Sequence, residues 1–291
     1  MSLPNFEYLS PKSIEQAVAL RQEYGDDALV MAGGLTAMIL LRERLVKPRV
    51  VISLSEIPVL RRIDFSEQIL RIGATVTHSE ITNSAQVRNV APLLCEACGH
   101  VGSPAIRNMG TVGGSISHGD GASDTAPALL ALDAEANVTG PAGERRIPLK
   151  DFFHGVFSTE LDDNELLTDL YVPAPVTGTE TRFMKYTNTS EEAFATVTVA
   201  ISILRGKTGM CTDVRIGLGS VAPIPMRAVE AENLLCGKMA TKELITEAAI
   251  TAASEADPPS DAQASGEYRR AMTAVWVRRV LEGMLLAKRD S

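Results

Sequence analysis

Aromatic residues make up only 4% of this 291-residue chain. A protein that binds nucleic acid by stacking bases needs a platform of such rings, so that class is disfavoured. Positive charge is also short. Lys and Arg number 28 against 36 Asp and Glu, for a net charge of −8, which argues against nucleic acid or an anionic membrane as the main partner. There is no basic-plus-apolar leader and no long apolar run, so neither export nor a membrane span is expected. The four cysteines, Cys95, Cys98, Cys211 and Cys236, are too dispersed for a disulfide framework. A reducing cytoplasm is therefore the expected setting. No Ser-His-Asp or Cys-His grouping stands out, and no four-cysteine set could hold an iron–sulfur cluster.

What is present is ample apolar material, 45% of residues, in a length that suits two domains. Ser10-Pro11 reads as a helix cap and first residue, followed by an apolar stripe at Ile14, Ala17 and Val18. A strand at 28–31, glycines at 33 and 34, a helix from Leu35 to Val46 and a strand at 50–54 form a β-α-β unit. ILRIGA (69–74) is a further strand. Thr77 and Glu80 form a capping box, and Pro92 opens another helix. Asp124 is placed to cap a short helix running to Ala131. AEANVTG, ERRIPL and LLTDLYV read as antiparallel strands. PAPVTGTET (173–181) is the best linker. Beyond it come long strands at 195–205 and 211–221, then helices over about 241–256 and 266–287. The last helix carries Tyr268, Met272, Val275, Trp276, Val280 and Met284 on one face, for core or partner packing.

Three motifs fail on inspection. GLGSVA (217–222) fits a dinucleotide fingerprint, but PIPMR follows where a helix must begin. Gly206-Lys207-Thr208 ends like a P-loop, but Ile201 stands where its first glycine belongs. Cys95-x-x-Cys98 has no second pair and reads as the buried face of a helix.

Two glycine pairs remain, Gly33-Gly34 and Gly113-Gly114, the second just after Gly110. The second lies in IRNMGTVGGSISHGDGASD (106–124), which is dense in small residues and holds His118, Asp120 and Asp124. Both pairs read as loops at element boundaries, where bare backbone can approach a ligand and present N–H groups to it. The first precedes a helix N-terminus, which favours an anion. Two such loops could clasp a pyrophosphate, with Asp120 and Asp124 accepting from hydroxyls of the same ligand. Alternatively both are only tight turns.

AGGLT (32–36), VGSPAIRNMGTVGGS (101–115), DGASDTAPALLALDAE (120–135), FFHGVF…DNELLTDLYVP and RIGLGSVAPIPMRAVEAENLL together resemble the FAD-binding subunits of molybdenum hydroxylases. The likeness covers roughly 4–286. It implies an α+β fold: a PCMH-type FAD-binding domain over 1–176, with subdomains of about 1–57 and 58–176. A small domain of antiparallel sheet and helical bundle would follow over 177–291. It implies that Ala32, Gly33, Gly34, Leu35 and Thr36, with Gly110, Thr111, Gly113, Gly114 and Ser115, cradle the pyrophosphate. Ser117 and Asp124 would lie along the ribityl and phosphate region, with Asp120 nearby. Leu167 and Lys185 would lie towards the isoalloxazine or the adenine.

The implied role is that of an electron-transfer subunit. It would take electrons from a small [2Fe–2S] subunit fed by a large molybdenum-cofactor subunit, and pass them to NAD, a quinone, oxygen or another acceptor. A heterotrimer, possibly doubled, is the implied assembly. No catalytic acid–base pair is needed, because the flavin carries the chemistry. One segment departs from the pattern. Thr189, Ser190 and Ala193 stand where many relatives have arginines and an aspartate, which bears on acceptor contacts. The alternatives are a stand-alone FAD oxidoreductase and a redox-inactive nucleotide-binding assembly module.

Overall fold

The computed structural model describes residues 3–286. Its first unit is a three-stranded parallel sheet in the order Glu7–Leu9, Val50–Ser53, Ala28–Met31. Every residue of the central strand is buried. Helix Ile14–Tyr24 buries Ala17 and Val18. Its cap is Ser13, whose hydroxyl accepts from Gln16 N at 3.3 Å, and not Ser10. Helix Leu35–Arg42 is shorter than the sequence suggests. Arg44 takes the left-handed conformation, φ 58°. Leu45 N then bonds Leu40 O and Arg44 N bonds Leu41 O, the paired bonds of a Schellman ending. Arginine at a position usually held by glycine hides that stop from a sequence reading.

The second unit is a five-stranded antiparallel sheet in the order Ile63–Ser66, Ile69–Gly73, Leu166–Pro173, Glu135–Gly140, Gly143–Pro148. Short helices between residues 78 and 131 cover it. The first carries the expected capping box: Glu80 N donates to Thr77 Oγ1 and Thr77 N donates to Glu80 Oε2. Cys95 and Cys98 are buried on helix Pro92–Gly99, as their spacing suggested. A two-stranded hairpin, Phe153–Gly155 with Ser158–Thr159, completes the unit.

The third unit is a four-stranded antiparallel sheet in the order Glu180–Tyr186, Val197–Arg205, Cys211–Gly219, Met226–Arg227. Side chains alternate across it. Val197, Val199, Ile201, Ile203, Val214, Ile216 and Leu218 share one hydrophobic cluster with helices Val229–Leu235, Lys242–Glu255 and Gly266–Leu285. The opposite face carries Phe183 and Lys185, paired in register with Ala200 and Thr198, and beyond them Gly217 and Gly219. Those small residues let helix Thr125–Ala131 of the second unit lie close. A Cβ on Gly217 would overlap the Pro127 carbonyl oxygen and stand 2.8 Å from its carbon. The glycines of GLGSVA therefore serve contact between units. Bends follow that strand, and the next helix starts only at Val229.

The last helix packs much of the expected face: Val280 and Met284 belong to the core cluster and Met272 and Trp276 lie against it. The helix buries Arg269, Thr273, Val277, Val280, Leu281 and Met284. Tyr268 and Trp276 sit on its flank against Tyr186, with 2.7 Å between the tyrosine hydroxyls and 5.2 Å between the Tyr186 and Trp276 rings. Arg269 adds a buried polar anchor to that stripe. Its guanidinium donates to the carbonyls of Ala195, Thr196 and Ser220 and pairs with Asp261 at 2.8 Å. Residue 287, where the sequence reading ends that helix, lies outside the described residues.

Candidate cofactor site

Strand Ala28–Met31 runs out at Ala32. Gly33 and Gly34 then turn the chain into helix Leu35–Arg42. Gly34 has φ 76° and occupies the cap position without offering a side-chain acceptor. The first N–H groups of that helix have no partner within it, and Met38 N is the first to find one, on Gly34 O. Leu35 and Thr36 thus present free donors at an eight-residue helix start.

The second loop abuts the first, backbone to backbone. A Cβ on Gly33 would overlap Met109 O and lie 3.2 Å from Gly110 Cα. One on Gly110 would lie 3.2 Å from the Leu35 side chain and 3.1 Å from the His78 ring. The chain is pinned on both sides of that contact. Gly110 O accepts from His78 N, Val112 N donates to Val76 O, and Gly113 N donates to Ala74 O, each at 3.0 Å.

Gly113 and Gly114 are not in a loop, as expected, but in the first turn of helix Val112–His118. Thr111 caps it by accepting from Gly114 N at 3.2 Å. The two glycines serve different ends. Gly113 is pressed onto strand-end residue Ala74, whose Cα and O would lie 2.6 Å from an added Cβ. Gly114 is exposed, and an added Cβ would meet only Thr111 Oγ1 within 4 Å. Ser117, three residues on, shares that open face.

Ser115 links this helix to the next segment through hydroxyls: Ser115–Ser123 at 3.1 Å, Ser123–Thr125 at 3.3 Å and Thr125–Ser115 at 3.4 Å. Asp120 closes a tight turn, accepting from Ala122 N at 2.9 Å. Asp124 does not cap helix Thr125–Ala131 with its side chain; Ser123 Oγ accepts from Ala126 N instead. The Asp124 carboxylate turns away because Lys185 reaches it. Lys185 Nζ donates to Asp124 Oδ2 at 2.8 Å and to His100 O at 2.9 Å. Both side chains are buried, 3% and 9% exposed. Burial raises the Asp124 pKa to about 6 against the opposing pull of Lys185. Asp124 Oδ1 is buried with no hydrogen-bond partner among the described residues.

The comparisons with known proteins show the family. Residues 4–175 match the family model "FAD binding domain in molybdopterin dehydrogenase", and residues 182–284 match "CO dehydrogenase flavoprotein C-terminal domain". The chain belongs to the flavoprotein subunits of the molybdopterin dehydrogenases. It is similar to the carbon monoxide dehydrogenase medium chain of Hydrogenophaga pseudoflava, at 34% identity over 96% of both chains. It is also similar to the nicotine 6-hydroxylase medium subunit of Paenarthrobacter nicotinovorans, at 33% over 97% of this chain and 98% of that one. A solved carbon monoxide dehydrogenase from H. pseudoflava, lacking the Mo-pyranopterin moiety, superposes with a TM-score of 0.93 at 35% identity, covering 96% of each chain.

The residues present suit the FAD of this flavoprotein family. Two bare-backbone turns in contact, one opening a helix, suit a pyrophosphate. An orphaned buried carboxylate oxygen suits a ligand hydroxyl, because such a group is otherwise costly to leave unpaired. Ala32 to Thr36 and Gly110 to Ser115 are brought together directly, and Asp120 and Asp124 follow through the hydroxyl links. Leu167 is buried beneath them in strand Leu166–Pro173, whose Thr168 O accepts from Ala74 N. Lys185 arrives from the third unit with its ammonium already engaged.

Sequence reasoning missed three members. Ser123 and Thr125 complete the hydroxyl triangle, and the only hint was their place beside Asp124. His78 walls the clasp behind Gly110. Its Nδ1 is buried without a partner, and burial, with help from Arg107, lowers its pKa to about 4. It sits inside the THSE capping box, which already accounted for its neighbourhood.

Proposed function

We propose that this chain is the FAD-carrying electron-transfer subunit of a multi-subunit molybdenum hydroxylase. Electrons would reach it from a small iron–sulfur subunit, and a large molybdenum subunit would carry out substrate oxidation. The supporting observation is the contact of two glycine turns at Gly33 and Met109-Gly110, backed by the orphaned Asp124 oxygen. The relatives described as medium chains or medium subunits supply the assembly. The two domains are taken as 1–176 and 177–291.

When bound, FAD supplies the redox chemistry, accepting electrons and passing them on. The chain's own residues bind, orient and shield it. The amides of Leu35 and Thr36, free at their helix start, would face the pyrophosphate, while those of Gly114 and Ser115 are held by Thr111 and leave the bare Gly114 face open beside it. Asp124 Oδ1 accepts from a hydroxyl of the nucleotide. His78, uncharged at neutral pH, closes the back of the clasp behind Gly110. The electron acceptor is NAD, a quinone, oxygen or another carrier.

Absorbance tests this first. The purified chain, mixed with FAD and desalted, keeps bands near about 370 and 450 nm, the mark of a cofactor-borne chromophore. Adding the reduced iron–sulfur partner bleaches the longer-wavelength band. Rapid bleaching by a small organic substrate with no partner present would overturn the subunit reading in favour of a stand-alone oxidoreductase.

A further inference from the structure

His118 is the histidine of the glycine-rich stretch, and the clasp leaves it unused. It follows Gly114 by four residues in helix Val112–His118. It therefore stands one turn further along the same face, about 6 Å along the axis. Its ring is stacked on Phe157, with 4.6 Å between ring centroids and 23° between the planes. Phe157 comes from the tip of the hairpin that joins Phe153–Gly155 to Ser158–Thr159. Both tip residues are apolar and face outward: Val156 is 64% exposed and Phe157 59%. Phe157 also takes the left-handed conformation, φ 54°, which a bulky side chain rarely adopts. The tip is firmly held. Phe152 and Phe153 root the hairpin in the core, and Glu160 N donates to Phe152 O at 2.8 Å. A Cβ on Gly119 would lie 2.9 Å from Thr159 Cγ2. Strained, well-anchored residues of this kind cluster where ligands are clamped.

The surroundings of the stack choose between ligand classes. A dinucleotide brings a pyrophosphate, which calls for cations or free backbone amides. His118 ends its helix, where the carbonyls and the negative end of the dipole lie. Asp120 follows two residues later, and Glu160 follows the hairpin. Arg145 reaches that end of the hairpin but is committed: its Nη2 donates to Glu160 O and to Glu165 Oε2, each at 2.7 Å. His154 lies against Glu160 at 2.5 Å. An uncharged ring needs no such cation, and it gains from an exposed aromatic face.

We propose that the His118–Phe157 stack seats the electron acceptor, and that this acceptor is an uncharged planar ring of the quinone class rather than a dinucleotide. This rests on the reading of the adjoining strip as the FAD site, and it narrows the acceptor left open there. Two electrons and two protons convert the quinone to its quinol. The reduced flavin gives both electrons and one proton, and solvent gives the other proton. Phe157 and His118 hold the ring of the acceptor and take no part in the transfer.

Equilibrium dialysis of the full chain, loaded with oxidised FAD, against duroquinone reads binding without turnover; FAD content is measured first, by absorbance. The wild-type chain takes up duroquinone saturably, and NAD does not displace it. Phe157→Gly removes the ring and relieves the left-handed strain, so the fold is kept. It weakens duroquinone binding about threefold to tenfold, the scale of one aromatic stack, and leaves FAD content unchanged. Phe157→Tyr, which keeps a ring, restores wild-type binding. Anaerobic reoxidation of the reduced chain by duroquinone shows the same split: Phe157→Gly raises the half-saturating concentration by that factor and changes the saturated rate less. Three results would overturn the inference: no saturable uptake of duroquinone by the wild-type chain, Phe157→Gly with wild-type affinity, or NAD that displaces duroquinone. A wild-type chain that holds no FAD removes the FAD-site reading and this inference together, whereas full FAD content without duroquinone binding removes this inference alone.

Discussion

Adjacent glycines in one helix turn give the sharpest test of the site, because the structure assigns them opposite duties. At Gly113 an added methyl would meet Ala74 Cα and O at 2.6 Å, and both are backbone atoms that cannot swing aside. Gly113 N also holds Ala74 O at 3.0 Å. Gly113→Ala is thus an overpacking change, costing about 1–3 kcal/mol. At Gly114 the methyl would meet only the Thr111 hydroxyl, at 2.8 Å. Helix propensity gains about 0.5–1 kcal/mol from Gly to Ala. Disturbing the Thr111 cap costs about 0.5–2 kcal/mol. The two nearly cancel, so Gly114→Ala leaves stability within about 1 kcal/mol of wild type. It should still lose FAD, because the methyl occupies the open face reserved for the nucleotide. One charge-assisted hydrogen bond lost is about 1.5–3 kcal/mol, or about tenfold or more in affinity. Urea unfolding of the apo protein reads the first quantity and FAD titration the second. A Gly114→Ala protein of normal stability that binds FAD as tightly as wild type would refute placing the cofactor over this turn.

Other outcomes follow from buried charge and from contact between units. Asp169 is 2% exposed and accepts from Nε and Nη2 of Arg71, each at 2.8 Å, whereas Arg71 is 39% exposed. Arg71→Ala strands a buried carboxylate and costs about 3–5 kcal/mol, and Asp169→Ala costs less because the guanidinium can be hydrated; denaturant midpoints rank the two. The pKa of His78 is depressed from 6.5 to about 4, so the unfolded chain binds the proton first. Its contribution is intact above pH 6.5 and is lost as pH falls towards 4, at about 1.4 kcal/mol per unit. His78→Leu removes that slope, as unfolding at pH 7 and pH 5 would show. Gly217→Ala, which pushes on Pro127 O, lowers FAD affinity from a position that does not line the clasp; unchanged affinity with a displaced interface would separate docking from binding.

Much of the fold was legible where local chemistry and tertiary packing agree. The β-α-β unit, the Thr77–Glu80 capping box, the three antiparallel strands between 135 and 173 and the long strands of the last domain all follow from period and punctuation. Misreadings fell where a side chain answered to something distant. Asp124 looked like a helix cap because Asp before a short apolar helix usually is one. Lys185, 61 residues on in the chain, claimed it. The last helix's apolar face packs on the core as read, but the buried Arg269 beside it was not foreseen; it is held by the carbonyls of Thr196 and Ser220, next to two strand ends. Gly113 and Gly114 looked alike in sequence, and only the nearness of Ala74 separates them.

The same logic explains why the small residues of this chain concentrate where they do. A nucleotide held by amides would need its backbone bare on the ligand side, as at the exposed Gly114, whereas Gly34 is already required by its left-handed backbone, φ 76°. Holding those amides still needs bare backbone on the protein side as well, so that Gly33 can rest on Met109 and Gly113 on Ala74. One layer further out, Gly217, Gly219 and Gly121 let the C-terminal unit close on the segment that carries Ser123 and Asp124. The three layers form one mechanical series from the far sheet to the ligand face. On the proposed site, a side chain added in the outer layer would displace Asp124 without touching the cofactor, and one added at Gly114 would block the cofactor with little displacement of the fold. Stability and affinity should therefore separate in opposite directions along the series, which a role confined to tight turns would not produce.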